Sequence, residues 1–287
     1  MISLFNTWQF NLIACLISFV VFAQFYKLAV RNAINDGAAT VLRQLIAGIS
    51  IIILIPLLPF KISSDPKVYL LLLIASVFYA LNDRLQTTVR KHLQVSIVTI
   101  IFRLSTVFLI LIGLLVFKES TTVLKLSGTG LILLANVLIF YKKGSFKLNK
   151  YVWLAILATL TTALAVSIDI SNSKKFNLAF YIMFTFLLPA IMVFLANKIN
   201  FSQLKKEFNV KEKKYYLITG IFWSLGVFFS LRSFQLGKIT TIAPLQATVV
   251  LFNVIVAYFL LGEKKDELKK IAAAILVIIG VYLTVVN

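Results

Sequence analysis

Apolar residues run along this chain in blocks of about twenty, with most of the charged residues between the blocks. A helix needs roughly 20 such residues to cross the ~30 Å hydrocarbon core of a bilayer. The pattern predicts ten spans, at 8–27, 38–59, 68–88, 95–117, 122–141, 151–171, 179–197, 215–235, 240–261 and 268–286. Connections are short, and the longest, 198–214, is too small to be a domain. The expectation is an all-α membrane protein with no separate soluble module.

A repeat underlies the pattern. Glu119-Ser120-Thr121-Thr122-Val123-Leu124-Lys125 closes one half, and Glu263-Lys264-Lys265-Asp266-Glu267-Leu268-Lys269 closes the other, 144 residues on. Leu124/Leu268, Lys125/Lys269, Val137/Val281, Phe78/Phe222, Leu81/Leu225 and Phe108/Phe252 keep the step without a gap. The expected organisation is a first repeat at 1–143 and a second at 144–287. Five spans per repeat is an odd number, so the second five-helix copy enters the membrane inverted. Inverted copies put a site at their seam, bordered here by spans 1, 3, 4 and 6, 8, 9.

Composition agrees: 60% of the 287 residues are hydrophobic and 14% charged, too little polar surface for a soluble domain of this size. The first span has no basic residue before it and no small-residue cleavage site, so it is expected to stay as a helix. The single cysteine, Cys15, lies inside that helix and reads as a small hydrophobe. His92 lies in a basic connection without companions at ligand spacing, which argues against a metal site.

The formal charge of +19 is scattered over membrane-edge loops, without the compact aromatic and basic face that nucleic acid requires. Nineteen of the 29 Lys and Arg residues fall in loops 1–2, 3–4, 5–6, 7–8 and 9–10, eight fall on the opposite side, and Arg43 and Arg103 lie within spans. The positive-inside rule puts the nineteen-residue side in the cytoplasm and both termini outside.

Each half closes with an apolar helix, an acidic turn and a small-residue helix: Leu114-Leu115-Val116-Phe117-Lys118-Glu119 then Gly128-Thr129-Gly130, and Phe259-Leu260-Leu261-Gly262-Glu263 then Ala272-Ala273-Ala274 and Gly280. Gly237-Lys238-Ile239-Thr240-Thr241-Ile242-Ala243-Pro244-Leu245 precedes the second, and Leu42-Arg43-Gln44-Leu45-Ile46-Ala47-Gly48 lies in span 2. Together these resemble the EamA-type branch of the drug/metabolite transporter superfamily over essentially the whole chain. The first span departs from that pattern, with Phe22-Ala23-Gln24 where a Trp-Gly pair is common. Lys118 also stands opposite Gly262, and Ile100 opposite Pro244. The resemblance implies a metabolite transporter with spans 3 and 8 beside the cavity. It also implies both termini in the cytoplasm, against the charge count.

Charges within spans are costly and usually face a cavity or a partner. Arg103, about eight residues into span 4 and so roughly 12 Å along it, is on the same side as Asp83 of span 3. The expectation is an ion pair between them, either structural or lining a cavity where Arg103 attracts a carboxylate. Asp169 and Arg232 approach a common membrane face, with snorkelling the alternative for the arginine. Tyr79 and Trp223 are matched at the 144-residue step, either as interfacial belt residues or as stacking surfaces for substrate. Gln24 and Gln246, with Gln44, Asn82, Gln86, Gln235 and Asn253, add polar contacts at membrane depth. Pro56 and Pro59 should end span 2, whereas Pro189 and Pro244 lie inside spans, Pro244 beside Gln246 being the hinge candidate. Glu119 and Glu263 read as anchors at the start of the next helix, with Ser120, Thr121 or Asp266 as caps. Gly128, Gly130 and Ala272, Ala273, Ala274 read as close-packing positions between halves or subunits.

The function expected is secondary transport, by export or exchange, of a small organic metabolite such as an amino acid, through alternating access in a bacterial-type cell (inner) membrane. Proton or counter-substrate coupling is compatible, with Asp83 and Asp169 the in-span carboxylates available, and so is oligomerisation. No GxxxxGK[ST] run occurs, which argues against direct ATP drive, and no cofactor is expected. A membrane-embedded enzyme would need a clustered acid/base or metal constellation, and a scaffold would not need buried charge.

Overall fold

The computed structural model describes residues 6–30, 33–93, 101–141, 149–209, 213–261 and 267–286, and among these, helices follow the apolar blocks. They are α1 (Trp8–Val30), α2 (Asp36–Ser50), α3 (Pro66–His92), α4 (Leu104–Leu115), α5 (Val123–Phe140), α6 (Lys150–Asn172) and α7 (Leu178–Ala196). After them come α8 (Phe201–Phe208), α9 (Lys213–Leu236), α10 (Ile239–Ala247), α11 (Val249–Leu261) and α12 (Glu267–Val285), with no strand among the described residues. Among the described residues, seven stretches are long and apolar enough to cross a membrane, and shorter apolar helices lie at 104–115, 123–139 and 239–253. All fall within or against the stretches expected from the sequence. Glu263 and Asp266 lie outside the described residues.

Polar side chains set the helix starts. Asn35, Thr122 and Asn177 each accept a backbone N–H at the head of α2, α5 and α7, satisfying donors that a first turn leaves unpaired. The cap of α5 is thus Thr122, not Ser120 or Thr121. Pro56 ends span 2 as expected: after α2 the chain tightens into a 3₁₀ stretch, Ile51–Leu57, and is extended at Leu58. The loop at 198–214 is not a plain connection, because it contains α8, closed by a reciprocal cap between Asn200 and Gln203.

The described chain divides into two compact units, Met1–Thr87 with Leu164–Leu236, and Thr88–Ala163 with Gly237–Asn287. Each takes chain from both sequence halves. In the first, α1 packs along α9, and α2 lies against α7 and α9. Cys15 is fully buried there, as a small hydrophobe should be. In the second, α5 packs along α12, and α10 against α4 and α5. Its buried face includes Ala135, Leu251, Ala273 and Val277. Leu268, Val123, Leu115 and Ile53 remain widely exposed, as suits side chains facing lipid rather than water.

Candidate functional site

In the first unit, helix α2 buries Ala38, Ala39, Val41, Leu42, Ala47 and, with them, Arg43 and Gln44. Both polar side chains converge on one carboxylate of α3. Arg43 Nη2 lies 3.5 Å from Asp83 Oδ1, with the two side chains only 9% and 12% exposed. The Gln44 amide donates to Asp83 Oδ2. The guanidinium also lies 5.2 Å from the centre of the Tyr26 ring and 5.4 Å from that of Trp223. Phe22 stacks on Tyr26 at 5.3 Å and packs on Trp223 at 4.5 Å. A cation held between aromatic faces and a carboxylate is fixed in direction as well as neutralised. Two atoms of this cluster are left over: Arg43 Nε and Gln44 Oε1 are buried with no hydrogen-bond partner among the described residues.

One turn back along α3, Tyr79 faces a second carboxylate. Its hydroxyl donates to Asp169 Oδ2 at 2.7 Å, and that of Tyr181 to Oδ1 at 2.6 Å. Asp169 is fully buried. Asn172 supports the group by donating to the Val68 carbonyl at 2.8 Å. Hydrogen bonds to a buried carboxylate are strong, because the charge has no other solvation. Tyr181→Phe is therefore expected to lower stability by about 2 kcal/mol. In a double-mutant cycle with Asp169→Asn the two losses should not add; additive losses would mean that the tyrosine does not act through Asp169.

One expected pairing is corrected. Asp83 pairs with Arg43 of α2 instead of Arg103, which stands at the head of α4 in the other unit, its Nε buried and without a hydrogen-bond partner among the described residues. Asp169 is held by tyrosines, and Arg232, expected at the same membrane face, bonds other partners. That arginine donates to Gln235 at 3.2 Å and Asn6 at 2.9 Å, while Gln235 donates to Ser173 at 2.9 Å. Gln24 is half-buried on α1 and Gln246 half-buried on α10.

The second unit has its own polar joints. Glu119 does not serve the helix that follows it. Its carboxylate accepts from Ile239 and Thr240 backbone N–H at 2.8 and 2.9 Å, at the head of α10. A carboxylate suits the positive end of that helix. The helix of the span at 240–261 tightens at Thr248, four residues after the buried Pro244. The backbone stays helical there, and the Thr248 N–H donates to the Leu245 carbonyl at 3.1 Å. The Ala247 carbonyl beside it accepts from Asn136 at 3.3 Å. Pro244 thus lies one turn before this tightened turn.

The residues that sequence reasoning passed over are Arg43, Gln44 and Tyr26 as a group, with Tyr181. Arg43 was visible as one of two arginines inside spans, beside a glutamine, but spacing along a helix does not say which neighbour it meets.

A model of the EamA-like transporter family matches residues 5–141 and, a second time, residues 142–286. No curated protein matches. A protein of known crystal structure shares the fold, with a TM-score of 0.73 over 95% of this chain and 96% of that one, at 13% sequence identity.

Proposed function

The chain belongs to the EamA-like transporter family of the drug/metabolite transporter superfamily, as a multi-pass membrane protein with two such repeats, and on that premise we propose that it carries a small zwitterionic or anionic metabolite, such as an amino acid, by alternating access. Ten spans in two inverted repeats suit that mechanism, in a cell membrane of bacterial type.

One observation carries the substrate reading: the Arg43–Gln44–Asp83 cluster under Tyr26 and Trp223, with a donor and an acceptor left over. A buried polar atom without a partner is costly, and a ligand bringing an acceptor to Arg43 Nε and a donor to Gln44 Oε1 relieves both. A carboxylate beside an ammonium has that chemistry, and the aromatic rings give its carbon skeleton a face to lie on. Asp169, held by hydroxyls, is the carboxylate available for coupling to a proton.

A thermal-shift panel on the purified protein tests this. Amino acids and related carboxylates should stabilise it, by about 2.7 kcal/mol at a hundred times their Kd, while amines without a carboxylate should not. Counterflow of the stabilising solute in proteoliposomes then separates a carrier from a mere binder. A panel without a single shift, and no counterflow of any member, would sink the proposal.

A further inference from the structure

Helix α8 lies outside the transport reading, and its composition is unusual for a short connection. Phe201, Leu204 and Phe208 recur at helical spacing on one side, and Ser202, Lys205, Lys206 and Asn209 on another. Leu204 packs against the buried cluster that includes Val193 and Ile199. Phe201, however, is 79% exposed and Phe208 39%. Phenylalanine left this open at the edge of a bundle of spanning helices suits a bilayer interface better than water.

The charges on α8 are sorted with equal clarity. Glu207 is fully buried and turned inward. It accepts from the backbone N–H groups of Ile34 and Asn35 at 3.0 and 3.1 Å and from the Tyr216 hydroxyl at 2.6 Å. The one carboxylate of the helix is thereby withdrawn from its lysines. Lys205 and Lys206 are exposed, and no carboxylate among the described residues lies within ion-pair distance of either. With Ser202, Asn209 and Ile34 they line a depression of about 480 Å³. Two ammonium groups, a hydroxyl and an amide thus meet in one concavity, flanked by phenylalanines of the same helix.

We propose that this depression binds the phosphate headgroup of an anionic phospholipid, with Phe201 and Phe208 entering the acyl boundary beside it. The lysines meet the phosphate charge, Ser202 and Asn209 donate to its oxygens, and the aromatic side chains fix the depth of the helix. The Glu207 contacts tie the occupied helix to the segment just before α2, so that lipid binding should stiffen the unit as a whole.

The test needs no transported solute, so its outcome is independent of the transport proposal. The full chain is placed in nanodiscs of phosphatidylcholine alone, or of phosphatidylcholine with phosphatidylglycerol, and lipid retention is followed by native mass spectrometry together with thermal unfolding. Phosphatidylglycerol should be retained selectively and should raise Tm, and both effects should weaken with salt. The exposed pair Lys205→Gln/Lys206→Gln should bind phosphatidylglycerol about 30-fold more weakly, whereas Lys174→Gln, in a loop of the opposite set, should bind it as the parent does. Equal retention of both lipids, or an undiminished phosphatidylglycerol effect in the double variant, overturns the proposal. So does equal stabilisation by inorganic phosphate in detergent, which would make the site one for a soluble anion.

Discussion

Arg43→Ala is expected to be among the most damaging single substitutions in this chain, lowering stability by about 3–5 kcal/mol and removing any response to ligand. The substitution removes the cation that faces the Asp83 carboxylate, whose side chain is only 12% exposed. It also removes a guanidinium lying 5.2 and 5.4 Å from the Tyr26 and Trp223 rings, each contact worth ~0.5–2 kcal/mol. Denaturant or thermal unfolding in detergent measures the first loss, and the ligand panel the second. Arg43→Lys should fall between, because it keeps the charge but not the planar fork. The informative variant is Arg43→Met combined with Asp83→Leu. Removing both charges removes the desolvation problem, so most of the stability should return while ligand binding stays lost. A double variant that regained ligand binding would show that the cluster is structural only.

Much of the fold was legible because a bilayer demands one thing of sequence, a long apolar run, and supplies few ways to satisfy it otherwise. The regions that escaped are those where this demand lapses. Helix α8 has eight residues, far too few to register as a span, and its meaning lies in which side each residue takes. Glu119 was visible as a turn residue, but its partners are 120 and 121 positions away at Ile239 and Thr240, a distance no local rule reaches. The site was half legible for the same reason. Tyr79, Asp83, Asp169 and Trp223 could be singled out because polar and aromatic groups at membrane depth need explaining. Their partners could not, since Arg43 and Arg103 are equally anomalous in sequence and only packing distinguishes them. His92 belongs here too: instead of lying in a basic loop, it closes α3 and stacks on Tyr151 at 4.0 Å.

Gly128→Leu and Gly130→Leu should have opposite consequences although the two glycines are two residues apart on α5. A Cβ on Gly128 would lie 2.6 Å from the Gly280 carbonyl oxygen of α12 and 2.9 Å from Leu283 Cβ. The contact is reciprocal, since a Cβ on Gly280 would meet the Gly128 carbonyl oxygen at 2.7 Å. The nearest atom on each side is backbone, so no side-chain movement relieves the clash and the helices must separate. Small residues are what allow such an approach in a membrane, where tight packing takes over from the hydrophobic effect. Gly128→Leu should therefore lower stability by about 3 kcal/mol, the upper end for overpacking. Gly130 has nothing within 4 Å of its Cβ position, so of the two glycines only Gly128 packs within this chain. Replacing it should be neutral or raise stability by up to about 1 kcal/mol, because glycine is a poor helix former. Unfolding of the two variants side by side decides the matter, and similar losses from both would mean that the whole of α5, rather than the Gly128 face, is set against a partner.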